Sequence, residues 1–313
     1  MPVDLSNFSQ KELHEWINKF DTILCDCDGV LWSYNTPFPG ASETVNTFIN
    51  LGKRVYLVTN HSHILREEML AKCHKLGFNV KLEDLVTSSY VTAHYLKQIG
   101  FNKKAYVIGS KELGKELDEV GIEHIGIGQD NLDCDIVQYV MKKYELDENV
   151  GAVIVSFDAN FSYIKLCKAV NYLKDKNNLF IATNGDRYFD FPKWNFLLPE
   201  TGCLINAIEC GSSRLATIIS KPSTYLCNVL AENSPPINPK KALVIGDSLR
   251  TDIVFGNNAG YETLLVGTGV NELKDVEEII EKIKSGDDSQ ETKKLLPNFY
   301  IPSLNDFHKK LME

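Results

Sequence analysis

No apolar run in this chain approaches the roughly 18 residues that a membrane-spanning helix requires. The opening stretch, Met1 to Lys11, is polar and lacks the hydrophobic core of a secretory signal. Basic residues form no stripe: 33 Lys and Arg face 42 Asp and Glu, for a formal net charge of −9. That balance argues against nucleic acid as the main partner but leaves small anionic substrates open, because a local site can be positive on an acidic protein. Cysteine is too sparse for a small disulfide framework. The eight cysteines, at 25, 27, 73, 134, 167, 203, 210 and 227, are scattered through apolar segments, and we read them as reduced thiols of a cytoplasmic protein. No short internal period marks a repeat architecture. The composition is otherwise ordinary for a globular chain, with 43% apolar and 24% charged residues. Its 313 residues suffice for two domains, or for one core with a large insertion.

Short apolar runs alternate with helical patterns, which predicts an α/β fold: a Rossmann-like, doubly wound parallel sheet. Strand candidates are Thr22–Cys25, Val55–Val58, Ala105–Ile108, Ala152–Val155, Leu179–Ala182, Ala242–Ile245 and Thr263–Val266. Leu65, Met69, Leu70, Cys73 and Leu76 recur at helical spacing, and Gly77 follows as a stop. The stretch 101–202 has strands and helices of its own. We therefore expect a core built from residues 1–100 and 203–313, interrupted by an inserted α/β cap over 101–202.

The chemistry concentrates in Asp26-Cys27-Asp28-Gly29-Val30, directly behind the apolar run Thr22–Cys25. In extended chain, residues i and i+2 point to one side, so both carboxylates face one spot. Like charges so close repel unless a cation or a reaction needs both. On its own the motif reads equally as an Asp-Gly turn after a strand. Three other segments lie just after strand candidates or in loops between elements: Thr59-Asn60, Lys221-Pro222 and Gly246-Asp247-Ser248-Leu249-Arg250-Thr251-Asp252. In an open parallel sheet, ligands bind beyond the carboxyl ends of the strands, so these residues can converge. Carboxylates, a hydroxyl, an amide and a lysine match phosphoryl transfer, which needs positioning and charge neutralisation around the phosphoryl oxygens. Mg²⁺ prefers oxygen ligands and needs only one or two carboxylates. A carboxylate can also be the nucleophile of an aspartyl-phosphate route. Cys25-x-Cys27 with His61-x-His63 does not have the spacing of a structural zinc site, and Gly267-Thr-Gly269 reads as a plain loop after the last strand.

Together, Asp26-x-Asp28-Gly29-Val30, Val58-Thr59-Asn60, Lys221-Pro222-Ser223 and Gly246-Asp247-x-x-x-Thr251-Asp252 resemble the four ordered motifs of the haloacid dehalogenase (HAD) superfamily of phosphatases. Ile181-Ala182-Thr183-Asn184-Gly185-Asp186, Phe157-Asp158-x-x-Phe161-Ser162-Tyr163 and Gly202-Cys203-Leu204-Ile205-x-Ala207-Ile208-Glu209 resemble its phosphoglycolate phosphatase / 4-nitrophenylphosphatase branch, which includes pyridoxal phosphatase and carries a C2-type α/β cap. The resemblance covers about residues 16 to 270. It implies that Asp26 attacks phosphorus and ligates Mg²⁺, and that Asp28 is the acid-base, with its backbone carbonyl on the metal. It further implies that Thr59 and Asn60 hold phosphate oxygens, that Lys221 neutralises Asp26 and the phosphoryl group, and that Asp247 ligates Mg²⁺ with Asp252 acting nearby through water. Backbone N–H groups near Gly29 would help cradle the phosphate.

The resemblance thus implies hydrolysis of a small phosphorylated metabolite, such as phosphoglycolate or 4-nitrophenyl phosphate, and a homodimer formed through the cap. A pyridoxal phosphate phosphatase, a phosphoprotein phosphatase on the same core and a non-catalytic phosphate-binding protein are the competing readings. The chain departs from the family pattern at His61, where relatives usually have Asn, and at Asn160, where the cap loop commonly has His. Either these two approach one another across the core–cap cleft, as an exchanged amide–imidazole pair in the substrate pocket, or they are two unrelated changes at rim positions. Ser248 and Arg250 also replace common basic and acidic residues, without removing a metal ligand.

Overall fold

The computed structural model describes residues 1–132, 134–141, 146–191, 194–232 and 235–312. The chain divides into two compact units: Met1–Thr59, Leu65–Val86 and Lys221–Glu313 form one, and Asn60–Ile64 with Thr87–Ser220 form the other. The second unit begins earlier and ends later than the 101–202 stretch marked by the sequence. One reason is local packing: the helix Ser88–Gln98 lies against Lys111–Glu119, and the strand Thr217–Ile218 pairs with Leu179–Ala182.

Among the described residues, the first unit is built on a seven-stranded sheet. Its order is Val3–Asp4, Phe299–Ile301, Glu262–Val266, Ala242–Gly246, Thr22–Cys25, Arg54–Thr59, Leu85–Thr87. The pairings from Val3–Asp4 across to Arg54–Thr59 are all parallel. From Thr22–Cys25 the chain winds outward in both directions, with the next strand in sequence on one side and Ala242–Gly246 on the other. The order therefore reverses beside Thr22–Cys25, and such a switch point opens a crevice at the carboxyl ends of the strands. The strand itself is buried throughout, as a central parallel strand covered on both faces must be. The predicted helix is present as Arg66–Lys75, burying Met69 and Cys73. It stops before Gly77, whose φ of 88° is left-handed and favours glycine.

The second unit has its own parallel sheet, in the order Thr217–Ile218, Leu179–Ala182, Val150–Val155, Lys104–Ile108, His124–Ile125. Tyr106, Val153, Val155, Phe180, Ala182, Ile205 and Ile208 belong to its core. An antiparallel hairpin, Tyr188–Phe191 with Phe196–Pro199, stands apart from that sheet. Among the described residues, no helix is long and apolar enough to cross a membrane.

Candidate active site

Register places the first motif at the switch point. Cys25 sits between Ile245 and Leu57 on the flanking strands, and the Asp26 N–H donates to the Ile245 carbonyl at 2.8 Å. Asp26 and Asp247 therefore leave neighbouring strands at about the same level. A third carboxylate arrives from the turn that follows: Leu249–Ile253 is a π-helical turn, and it carries the side chain of Asp252. Such turns recur at functional sites because the wider winding re-aims a side chain. Gly246 makes room for it, since a Cβ at that position would collide with the Asp252 side chain. One oxygen each from Asp26, Asp247 and Asp252 lie within 4.8 Å of one another.

Lys221 is the counter-ion. Its Nζ donates to Asp26 Oδ1 at 2.5 Å, to Asp252 Oδ1 at 2.7 Å and to the Val58 carbonyl at 3.0 Å, and only 3% of the residue is exposed. Burial works against its charge, but the Asp252 and Asp26 carboxylates outweigh that and hold its pKa well above the ordinary lysine range. Asp252 is fixed further by the Ser248 N–H on Oδ2 at 3.1 Å. Burial pushes Asp26 above the usual carboxylate range; Lys221 pulls it back, while Asp252 and Asp247 add to the rise. Burial likewise raises Asp247 to about 7, with Asp252 adding to the effect and the Val270 N–H opposing it. Three carboxylates around one ammonium leave an excess of negative charge among oxygen donors. That donor set fits a hard divalent cation such as Mg²⁺, whose charge would favour the ionised carboxylates.

Asp28 is held by a neighbour on its own turn. Its Oδ1 accepts from the indole Nε1 of Trp32 at 3.0 Å, and Gly29, at φ 86°, donates its N–H to the Trp32 carbonyl. Trp32 is buried, packing edge-on against Phe78, so it is a rigid anchor for the acid-base candidate. Sequence reasoning missed it; an indole four residues after Asp28 was the available signal. Thr59 ends its strand 5% exposed. Asn60 falls in the second unit, where its carbonyl accepts from Asn184 Nδ2 at 2.5 Å and Ser88 Oγ at 2.7 Å. His61 and Asn160 also belong to that unit. The His61 ring lies 3.8 Å from that of His63, which lies 4.5 Å from Phe157. Asn160 is exposed, and its N–H donates to Asp158 Oδ1 at 2.8 Å. Asp158 is itself held by the buried Lys165. Among the expected site residues, the structure thus joins Asp26, Lys221 and Asp252 by direct contact, sets Asp247 beside them, and places His61 and Asn160 together in one unit.

An acidic, oxygen-only cluster with one buried lysine, at the switch point of a doubly wound sheet, defines the class: an α/β enzyme built to handle an anionic group beside a cation. Residues 23–123 match the family model described as haloacid dehalogenase-like hydrolase, and residues 218–306 match a HAD-hydrolase-like model. The chain is 38% identical to the glycerol-3-phosphate phosphatase of Rattus norvegicus over 91% of its own length and 89% of that protein. It is 36% identical to the 4-nitrophenylphosphatase of Schizosaccharomyces pombe, over 95% and 96% of the two chains. The solved structure of NagD from E. coli K-12 superposes with a TM-score of 0.73 at 27% identity, covering 91% of this chain and 97% of that one. The chain belongs to the haloacid dehalogenase-like hydrolases, among the phosphatases (phosphoric monoester hydrolases) of that family.

Proposed function

We propose that the chain hydrolyses a small phosphomonoester with Mg²⁺, through an aspartyl-phosphate on Asp26. The single observation that carries this reading is the Asp26–Lys221–Asp252 chain of short contacts beside Asp247. Lys221 occupies Oδ1 of Asp26 and favours its ionised form, so Oδ2 is the attacking atom. The new Oδ2–phosphorus bond forms as the ester oxygen leaves, and Asp28, oriented by Trp32, gives that oxygen its proton. Asp28 then takes a proton from water, which attacks the same phosphorus and returns Asp26 with release of inorganic phosphate. Thr59 and Asn60 hold phosphoryl oxygens. Mg²⁺ would be held by Asp26, Asp247 and the Asp28 carbonyl, with Asp252 close by, and would supply charge neutralisation for the phosphoryl oxygens.

Three- and two-carbon alkyl phosphates are the leading substrate class, glycerol 3-phosphate and phosphoglycolate among them. The names of the relatives and the family resemblance support this. 4-Nitrophenyl phosphate serves as a generic substrate. The test is Asp26→Asn, assayed with Mg²⁺ on a panel of these esters. Hydrolysis of all of them is lost, with circular dichroism unchanged; undiminished turnover of any one removes Asp26 as nucleophile.

A further inference from the structure

The segment Gly267-Thr-Gly-Val-Asn271 leaves the strand Glu262–Val266 and reads from sequence as a plain loop. In the structure it touches two separate motifs. The Thr268 hydroxyl donates to the Gly29 carbonyl at 2.5 Å. Two residues on, the Val270 N–H donates to Asp247 Oδ2 at 2.7 Å. The Asn271 N–H donates to the Asp247 carbonyl at 3.0 Å, and its Oδ1 accepts from the Leu249 N–H, also at 3.0 Å. Between these contacts, Gly269 has no side chain because there is no room for one. A Cβ at Gly269 would collide with the Asp247 carboxylate, and so would a Cβ at Gly29. The Asp247 carboxylate is therefore held between two glycine backbones, one from the first motif and one from this loop.

We propose that the 267–271 loop is a brace that fixes the Gly29 turn relative to Asp247, with Thr268 and Gly269 as positioning residues. The inference rests on the proposed function, in which Asp28, on the Gly29 turn, is the acid-base and Asp247 holds the cation. Neither segment sets the other's position by itself. Gly29 lies in a left-handed turn that L side chains rarely adopt, and pinning its carbonyl fixes that peptide plane. The same loop, two residues later, fixes the plane and depth of the Asp247 carboxylate. The spacing between the turn that carries the acid-base and the cation ligand is thereby set by a five-residue strap, and displacements of about 1 Å at such sites cost on the order of 100-fold in rate.

The experiment compares Thr268→Val, which keeps the volume and removes the hydroxyl, with Thr268→Ser, which keeps the hydroxyl. Both are assayed on 4-nitrophenyl phosphate across a Mg²⁺ series, beside Asp26→Asn. We expect Thr268→Val to lower kcat about tenfold with KM changed less than threefold, and to raise the Mg²⁺ concentration for half-activation severalfold. Thr268→Ser stays within twofold of the parent. Gly269→Ala is read without substrate, by the rise in Tm on adding Mg²⁺; that rise shrinks or vanishes. Thr268→Val and Thr268→Ser both behaving as the parent, or both equally impaired, overturns the brace. So does a Mg²⁺-induced rise that survives intact in Gly269→Ala. An active Asp26→Asn defeats the reading of the site itself and the brace with it; an inactive Asp26→Asn beside a parent-like Thr268→Val defeats the brace alone.

Discussion

Replacing Lys221 with methionine removes a buried ammonium while keeping most of the side-chain length. The ammonium faces Asp26 at 2.5 Å and Asp252 at 2.7 Å. At an effective dielectric of about 20, each attraction is roughly 6–7 kcal/mol gross. Burying the ammonium and two carboxylates takes back several kcal/mol per ion, so the gross sum is not the loss to expect. Removing one partner of a buried ion pair costs about 3–5 kcal/mol, because the remaining charge is left uncompensated. The Val58 carbonyl loses its donor as well. We expect Lys221→Met to lower Tm by on the order of 10 °C, taking about 2–4 °C per kcal/mol for a chain of this size. It should lower kcat by about 10²–10³, the loss typical when a donor to developing charge is removed. Added Mg²⁺ should raise the Tm of the variant more than that of the parent, since a site stripped of one positive charge gains more from a cation. Scanning calorimetry with and without Mg²⁺, together with steady-state kinetics on 4-nitrophenyl phosphate, reads all three. A variant with Tm within about 2 °C of the parent and kcat within about threefold would refute the counter-ion role.

Two further outcomes test the packing around the site and the second unit. Gly246→Ala drives a Cβ into Asp252, and overpacking of this kind costs about 1–3 kcal/mol; urea denaturation should report it, alongside reduced activity from a displaced Asp252. Glu200, buried before the helix Thr201–Ser212, is pushed up from an ordinary 4.5 to about 7 by burial, with the negative Asp186 adding to the rise. Its folded-state pKa is raised, so its contribution to stability is fully present below about 4.5 and is lost as pH rises through about 7. Glu200→Gln should flatten the Tm–pH curve across that window, and an unchanged slope would count against the shift.

Much of the first unit was legible because its signals are local. An apolar run followed by Asp and Gly marks both Thr22–Cys25 with Asp26 and Ala242–Gly246 with Asp247, and the structure ends strands at those places. The long buried strands were found to within one or two residues, as Arg54–Thr59 and Val150–Val155 illustrate. The shortest strands were not. Thr217–Ile218 is two residues long, and Leu85–Thr87 and Phe299–Ile301 are three, too short for a period to declare itself. The contacts of the Gly267-Thr-Gly269 loop leave no local signal, because its partners, Gly29 and Asp247, lie 239 and about 20 residues away along the chain.

By itself, the sequence determined the α/β alternation, the order of the motifs and the types of side chain available for chemistry. Each of these depends on residues a few positions apart, where backbone geometry alone dictates direction. Tertiary structure decided which carboxylates meet. Asp252 joins Asp26 through a π-helical turn and the space left by Gly246, while Asp28 turns to Trp32. It also decided that Asn60–Ile64 groups with Thr87–Ser220 rather than with the strand that precedes it. The Lys221 contacts that draw the carboxylates together span 195 residues to Asp26 and 31 to Asp252, and no local pattern encodes them.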